Sequence, residues 1–130
     1  MSGLERLEPS LVENFVAQAH ADLERVEQLL RGAPALLNAA WDWGAGDWET
    51  ALGAAAHMGR RDIALFLLEQ GARMDLFAAA MLGELAILRA ILAAQPQARS
   101  ARGPHGIPLE LHAEAGGEHA ASVLEYLRSL

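Results

Sequence analysis

Three ten-residue segments of the chain share one pattern, with Leu at the third position, small residues in the middle and Gly at the tenth. They cover residues 50–59, 74–83 and 107–116. A second apolar segment follows each of them, and its apolar residues recur at the spacing of one helix face. The terminal glycine fits a left-handed helix end before a tight turn. Thr50 and Asp75 are predicted to cap helix starts. The chain is therefore predicted to repeat a pair of short helices.

Composition predicts the same kind of structure along the rest of the chain. The 130 residues include 27 Ala and 22 Leu, whereas Val, Ile and Thr together supply only nine. Ala and Leu favour helices, while β-branched residues favour strands. We therefore expect an all-α fold. The length fits one domain, predicted to span residues 1–130.

The clearest repeat carries the motif of a known family. Ankyrin repeats begin with Thr-Pro-Leu-His and continue with paired small residues and a Gly. This chain keeps Thr50, Leu52, Ala55, Ala56 and Gly59, although Ala and Gly replace the Pro and His of the motif. The chain resembles degenerate ankyrin repeats of bacterial type. The resemblance implies an α-solenoid of four stacked helix-turn-helix pairs with irregular hairpin fingers, at about 11–37, 48–73, 74–98 and 105–130. It also implies a non-catalytic protein that binds another protein.

Charge and missing residue types exclude several functions. The net charge is −7, and the chain contains neither Cys nor Lys. A nucleic-acid partner is therefore not expected, and thiolate zinc sites and Schiff-base chemistry are excluded. The sequence has no apolar run long enough for a membrane span, and residues 1–9 do not resemble a signal peptide. These features predict a cytoplasmic protein without a membrane partner, as a monomer or a weakly self-associating chain.

The most unusual segment is 40–49, which holds all three tryptophans and three acids. Gly44 and Gly46 permit a tight reversal there, so the segment is predicted to be the first finger of the array. Tryptophans dominate many protein interfaces, and acids favour a basic partner. We predict an unidentified protein partner, with a basic partner expected. The predicted contact residues are Trp41, Asp42, Trp43, Asp47, Trp48, Glu49, His57, Arg102 and His105.

Two other interpretations of the same residues stay open. In the first, Trp41 or Trp48 folds back over the repeats and is structural. In the second, a small-molecule or metal site forms at the base of the fingers from Trp48, His57, His105 and His112, with Asp47 or Glu49 nearby. Because the chain lacks a dense ligand motif such as His-Glu-x-x-His, the sequence assigns no metal ligand, cofactor or catalytic residue. His112 is otherwise interpreted as a core histidine, and His20 and His119 as surface residues.

Overall fold

The computed structural model describes residues 5–130, so the first four residues of the predicted domain lie outside the described residues. Within 5–130 the chain forms eight α-helices and two short β-strands. The helices are α1 (Pro9–Gln18), α2 (Leu23–Gly32), α3 (Ala51–His57), α4 (Arg61–Glu69), α5 (Leu76–Leu82), α6 (Leu85–Ala94), α7 (Leu109–Ala115) and α8 (Ala121–Arg128). The strands are β1 (Ala40–Asp42) and β2 (Trp48–Thr50).

The helices follow one another as packed pairs. The first members of the pairs, α1, α3, α5 and α7, pack side by side, and each contacts the second member of its own pair. Side chains at helix starts accept hydrogen bonds from free backbone N–H groups. As predicted, Thr50 accepts such a bond from the N–H group of Gly53, and Asp75 accepts one from the N–H group of Ala78. The repeated helix pair of the sequence is therefore present in the structure.

The prediction of an all-α ankyrin-type solenoid is wrong, because β1 and β2 form a small antiparallel sheet. Its register pairs Ala40 with Thr50 and Asp42 with Trp48. The connection reverses through Gly44 (φ 141°) and Gly46 (φ 85°), and the Asp42 carboxylate accepts hydrogen bonds from both glycine N–H groups. Whole-chain composition cannot detect pairing over so few residues. The fold is mixed, with a largely helical body and one two-stranded sheet.

The buried residues form two hydrophobic clusters along the chain. One extends from Val12 to Leu82 and the other from Leu76 to Leu127. The helix pairs approach closely where glycine replaces a side chain. A Cβ atom at Gly116 would collide with the carbonyl of Met81, which fixes α7 against the end of α5. Over residues 5–130, no helix has the length and apolar character needed to cross a membrane.

Candidate functional site

Four polar side chains converge beside the β-hairpin. They are His20, Glu49, His57 and His105, and the nearest nitrogen or oxygen atoms of all four lie within 4.8 Å of one another. His20 lies in the turn after α1, Glu49 in β2, and His57 at the end of α3. His105 lies in the short 3-10 turn Pro104–Gly106 that precedes α7. The site therefore joins four separate segments of the chain.

Local structure explains why these side chains meet. Successive residues of a strand point to opposite faces, so Trp48 projects outward while Glu49 is buried. Gly53 and His57 lie four residues apart on one face of α3. A Cβ atom at Gly53 would lie 3.6 Å from Cγ of Glu49 and 3.4 Å from Cγ of Pro104. The Glu49 side chain and the turn that carries His105 therefore both pack against α3 at Gly53, where an added Cβ atom would make ordinary van der Waals contacts.

The Glu49 carboxylate is the centre of the cluster. Its Oε1 atom lies 3.2 Å from Nε2 of His20 and 3.3 Å from Nε2 of His105, and its Oε2 atom lies 2.9 Å from Nε2 of His57. Trp43 also donates a hydrogen bond from Nε1 to Oε1, at 2.9 Å. Each of the three imidazoles therefore presents the same ring atom, Nε2, to one buried carboxylate.

The other ring nitrogens of two histidines face hydrogen-bond acceptors. Nδ1 of His20 lies 3.0 Å from the carbonyl oxygen of Val16 and 3.1 Å from that of Ala17. Nδ1 of His105 lies 2.8 Å from a carboxylate oxygen of Asp47. Because these oxygens can only accept, each of these contacts is a hydrogen bond in the tautomer that carries its hydrogen on Nδ1. In a neutral ring of that tautomer, the Nε2 lone pair points toward the Glu49 carboxylate, and a metal cation between the two atoms would satisfy both.

The third histidine, His57, also faces Glu49, but without a well-aligned hydrogen bond. Oε2 of Glu49 and Nε2 of His57 are both fully buried, and neither has a hydrogen-bond partner. Their separation of 2.9 Å lacks the alignment of a hydrogen bond. Buried polar atoms without a partner are rare in folded proteins, and a bound ion is one of the few arrangements that satisfies them. The two atoms are close enough to serve as neighbouring ligands of one ion.

The cluster also perturbs the protonation of its members. Burial acts to raise the pKa of Glu49, but the contacts with His20, His57 and Trp43 outweigh it and lower the pKa to about 2. The same contact with Glu49 raises the pKa of His20 above its ordinary value, against the opposing effect of burial. The site therefore holds an ionised carboxylate at neutral pH, which favours a cation among the imidazoles.

Some residues predicted from the sequence come together in this site and others do not. Glu49, His57 and His105 are three of its members, and Asp47 contacts His105. Trp48 is 61% exposed and lies on the other face of β2. His112 is fully buried and packs against Phe77, and burial lowers its pKa, so it lies in the core rather than in the site.

The remaining predicted contact residues have intramolecular roles. Trp41 is half-buried and packs against the first hydrophobic cluster, as the structural interpretation of this residue predicts. Trp43 is bonded to Glu49, and Asp42 holds the hairpin turn. The guanidinium of Arg102 donates to the carbonyl of Gly106, within the turn that carries His105.

His20 was predicted to be a surface residue, yet its ring belongs to the cluster. One signal was available in the sequence, because His20 and His57 both lie near the end of the first helix of a predicted pair. Helices of neighbouring pairs pack side by side, so side chains near equivalent ends lie close together. Ring centroids of His20 and His57 are 5.0 Å apart.

Comparison with known proteins gives no further assignment, since no family model and no curated protein matches the chain. The resemblance to ankyrin repeats therefore stays a prediction.

Proposed function

We propose that this protein binds one divalent transition-metal ion, with Zn²⁺ as the preferred ion, through His20, Glu49, His57 and His105. The observation that carries the proposal is the convergence of three Nε2 atoms on one buried carboxylate while the Nδ1 atoms of His20 and His105 are held by acceptors. Metal-binding histidines have this arrangement, because the second ring nitrogen fixes the tautomer and the ring orientation.

The spacing of the groups fits one small ion. With zinc–ligand bonds near 2.1 Å, neighbouring ligand atoms of a tetrahedral site lie about 3.4 Å apart, and imidazole centroids about 5.2 Å apart. The three nitrogen–oxygen separations are 2.9, 3.2 and 3.3 Å. The three centroid separations are 5.0, 5.1 and 6.1 Å. These separations lie within about 1 Å of the tetrahedral values, so all four groups are within reach of one ion.

Ligand chemistry favours zinc over the hard cations. Three imidazole nitrogens suit Zn²⁺ and its transition-metal neighbours, whereas Mg²⁺ and Ca²⁺ prefer oxygen ligands. Four protein ligands make a closed site, which is typical of structural zinc. The proposal therefore assigns the ion a structural role and assigns no reaction to the protein.

A metal titration tests this proposal directly. The chain is freed of metal with a chelator and titrated with Zn²⁺ against a competing indicator, and Co²⁺ absorption reports the coordination geometry. We expect one equivalent of Zn²⁺ per chain and the intense visible absorption of tetrahedral Co²⁺. His57→Ala should lower the affinity at least tenfold, because it removes a ligand.

His119→Ala is the matched control, since His119 is exposed and lies outside the cluster. It should bind Zn²⁺ as the wild type does. A wild-type chain that binds no stoichiometric metal, or a His57→Ala variant with wild-type affinity, would contradict the proposal.

A protein-binding role for the hairpin is a second candidate, supported by the exposed ring of Trp48. A large exposed aromatic side chain is a common anchor of interfaces. The acids no longer support a basic partner, because Asp42, Asp47 and Glu49 all bond within the chain. We therefore propose that Trp48 supplies the contact, in a cytoplasmic protein as the sequence predicts.

Affinity capture with single variants tests the second candidate. A protein recovered by the wild type should be lost with Trp48→Ala. It should be retained with Leu111→Ala, which removes another exposed apolar side chain of this chain. Equal recovery by the wild type and Trp48→Ala would show that Trp48 is not the contact.

A further inference from the structure

Asp47 makes two hydrogen bonds to one residue far away in the sequence. One carboxylate oxygen accepts from the backbone N–H of His105 at 2.8 Å, and the other faces Nδ1 of the same residue at 2.8 Å. Asp47 lies in the hairpin between β1 and β2, whereas His105 lies in the turn before α7. The Asp47 side chain therefore holds both the backbone and the ring of His105.

The backbone of His105 needs such support. Its φ angle is +61°, in the left-handed region that residues other than glycine seldom adopt. Such a conformation costs free energy and persists only where surrounding contacts impose it. In this turn, the bond from the His105 N–H to Asp47 is one such contact. The guanidinium of Arg102, which donates to the Gly106 carbonyl at 3.0 Å, is another.

The ring contact has a separate consequence for metal binding. A hydrogen on Nδ1 leaves Nε2 of a neutral ring as the lone-pair atom, and Nε2 is the atom that faces Glu49. Without Asp47, the ring of His105 could place its hydrogen on Nε2 or turn toward solvent, since a third of this side chain is exposed. The carboxylate therefore selects both the orientation and the tautomer that a metal requires.

We infer that Asp47 is a positioning residue that prepares His105 to ligate the metal before the metal arrives. The inference rests on the proposed metal site. It extends that proposal to a residue that does not itself contact the ion. It also gives a chemical reason for the position of Asp47 at the hairpin, because this side chain links the β1–β2 hairpin to the turn that carries His105. Outer contacts of this kind typically change metal affinity ten- to a hundredfold.

A simpler role is that Asp47 only ties the hairpin to the turn. In that case its removal would loosen the fold and weaken metal binding through every ligand equally. The two roles differ in one respect. A residue that acts through His105 has no influence on metal affinity once the His105 ring is absent, whereas a general tie keeps its influence.

A double-mutant cycle separates these roles. Zn²⁺ affinity is measured by chelator competition for the wild type, Asp47→Ala, His105→Ala and the double variant, each checked for folding by circular dichroism. We expect Asp47→Ala to weaken binding about ten- to a hundredfold in the wild-type background. In the His105→Ala background it should have an effect of less than about twofold.

Asp42→Ala is the matched control for the hairpin, because Asp42 also braces the hairpin turn but does not touch His105. Because this variant removes no contact to a proposed metal ligand, its Zn²⁺ affinity should stay within about threefold of the wild-type value. A larger loss, comparable with that of Asp47→Ala, would overturn the inference. So would an Asp47→Ala loss of equal size in both backgrounds.

Nitrogen NMR of the imidazoles supplies a readout that does not depend on metal. In the metal-free protein, we expect neutral His105 to carry its hydrogen on Nδ1, because the Asp47 oxygen facing Nδ1 is nearer, at 2.8 Å, than the Glu49 oxygen facing Nε2, at 3.3 Å. In Asp47→Ala we expect that preference to be lost. If the wild type binds no Zn²⁺, the proposed function and this inference both fail. If the wild type binds Zn²⁺ but the tautomer and affinity are unchanged by Asp47→Ala, this inference alone fails.

Discussion

Replacing Glu49 with alanine is expected to abolish metal binding and to destabilise the metal-free protein. The carboxylate is the only oxygen ligand of the proposed site and supplies the negative charge that faces the cation. Its side chain is fully buried among His20, His57 and the indole of Trp43. Removing one partner of a buried ionic cluster typically costs about 3–5 kcal/mol, because the remaining polar groups stay buried without a partner. We expect a loss of that order in the free energy of unfolding.

The measurement compares denaturant unfolding and Zn²⁺ titration of Glu49→Ala with those of Glu49→Gln. Glutamine keeps the volume and one acceptor oxygen but removes the charge. We expect it to retain part of the stability of the wild type and to lose most of the metal affinity. Wild-type Zn²⁺ affinity in Glu49→Ala would show that the carboxylate is not a ligand. An unfolding free energy within about 0.5 kcal/mol of the wild type would show that the buried cluster contributes little to folding.

The helix pairs were predictable because they depend on short-range patterns. Apolar spacing, capping side chains and terminal glycines act within one or two helical turns, and they are visible in a single sequence. Thr50 and Asp75 cap helices where the sequence places them. The hairpin was expected as a projecting finger, but its strand pairing was not, since Ala40–Asp42 has no alternating pattern of its own. The turn at Gly44–Gly46 creates that pairing.

The site was only partly predictable because its members meet through tertiary contacts. His57, His105, Asp47 and Glu49 were considered together, since three of them lie in or near predicted fingers. The position of His20 depends on how the end of α1 packs beside β1, and the sequence signals it only through the place of His20 near the end of a first helix, like that of His57. His112 shows the converse error. One interpretation of the sequence placed it in the site, but its ring turns inward to the Pro108 carbonyl and Phe77.

We expect zinc to stabilise the protein steeply more as the pH rises. The cluster itself stabilises the metal-free protein most at mildly acid pH. The pKa of Glu49 is lowered to about 2, so its contribution to stability is present above its ordinary value of 4.5 and is lost as the pH falls toward 2. The pKa of His20 is raised above its ordinary 6.5. Its contribution is therefore present below 6.5 and is lost as the pH rises through the higher folded value. The cluster should therefore stabilise the metal-free protein most between pH 4.5 and pH 6.5, the ordinary pKa values of the two groups.

Metal binding reverses the dependence on His20, because the ion needs the lone pair that the proton occupies. Below the raised pKa of His20, Zn²⁺ affinity should fall about tenfold per pH unit from this residue alone. When the Zn²⁺ concentration is about a thousandfold above the dissociation constant, the ion adds about 4 kcal/mol to the free energy of unfolding. For a chain of this length, that increase raises Tm by on the order of 10 °C. We expect that rise at about pH 7.5 and only a small fraction of it at about pH 5.5, at the same Zn²⁺ concentration.

Thermal unfolding with and without Zn²⁺ at the two pH values measures this effect. His119→Ala should reproduce the wild-type pattern, since its ring lies outside the cluster. His20→Ala should bind more weakly and with a shallower dependence on pH, because one fewer proton competes with the ion. An increase in Tm of the same size at both pH values would mean that the ion does not displace a proton from His20. The metal would then be bound elsewhere, and the Nε2 atoms around Glu49 would be held by protons alone.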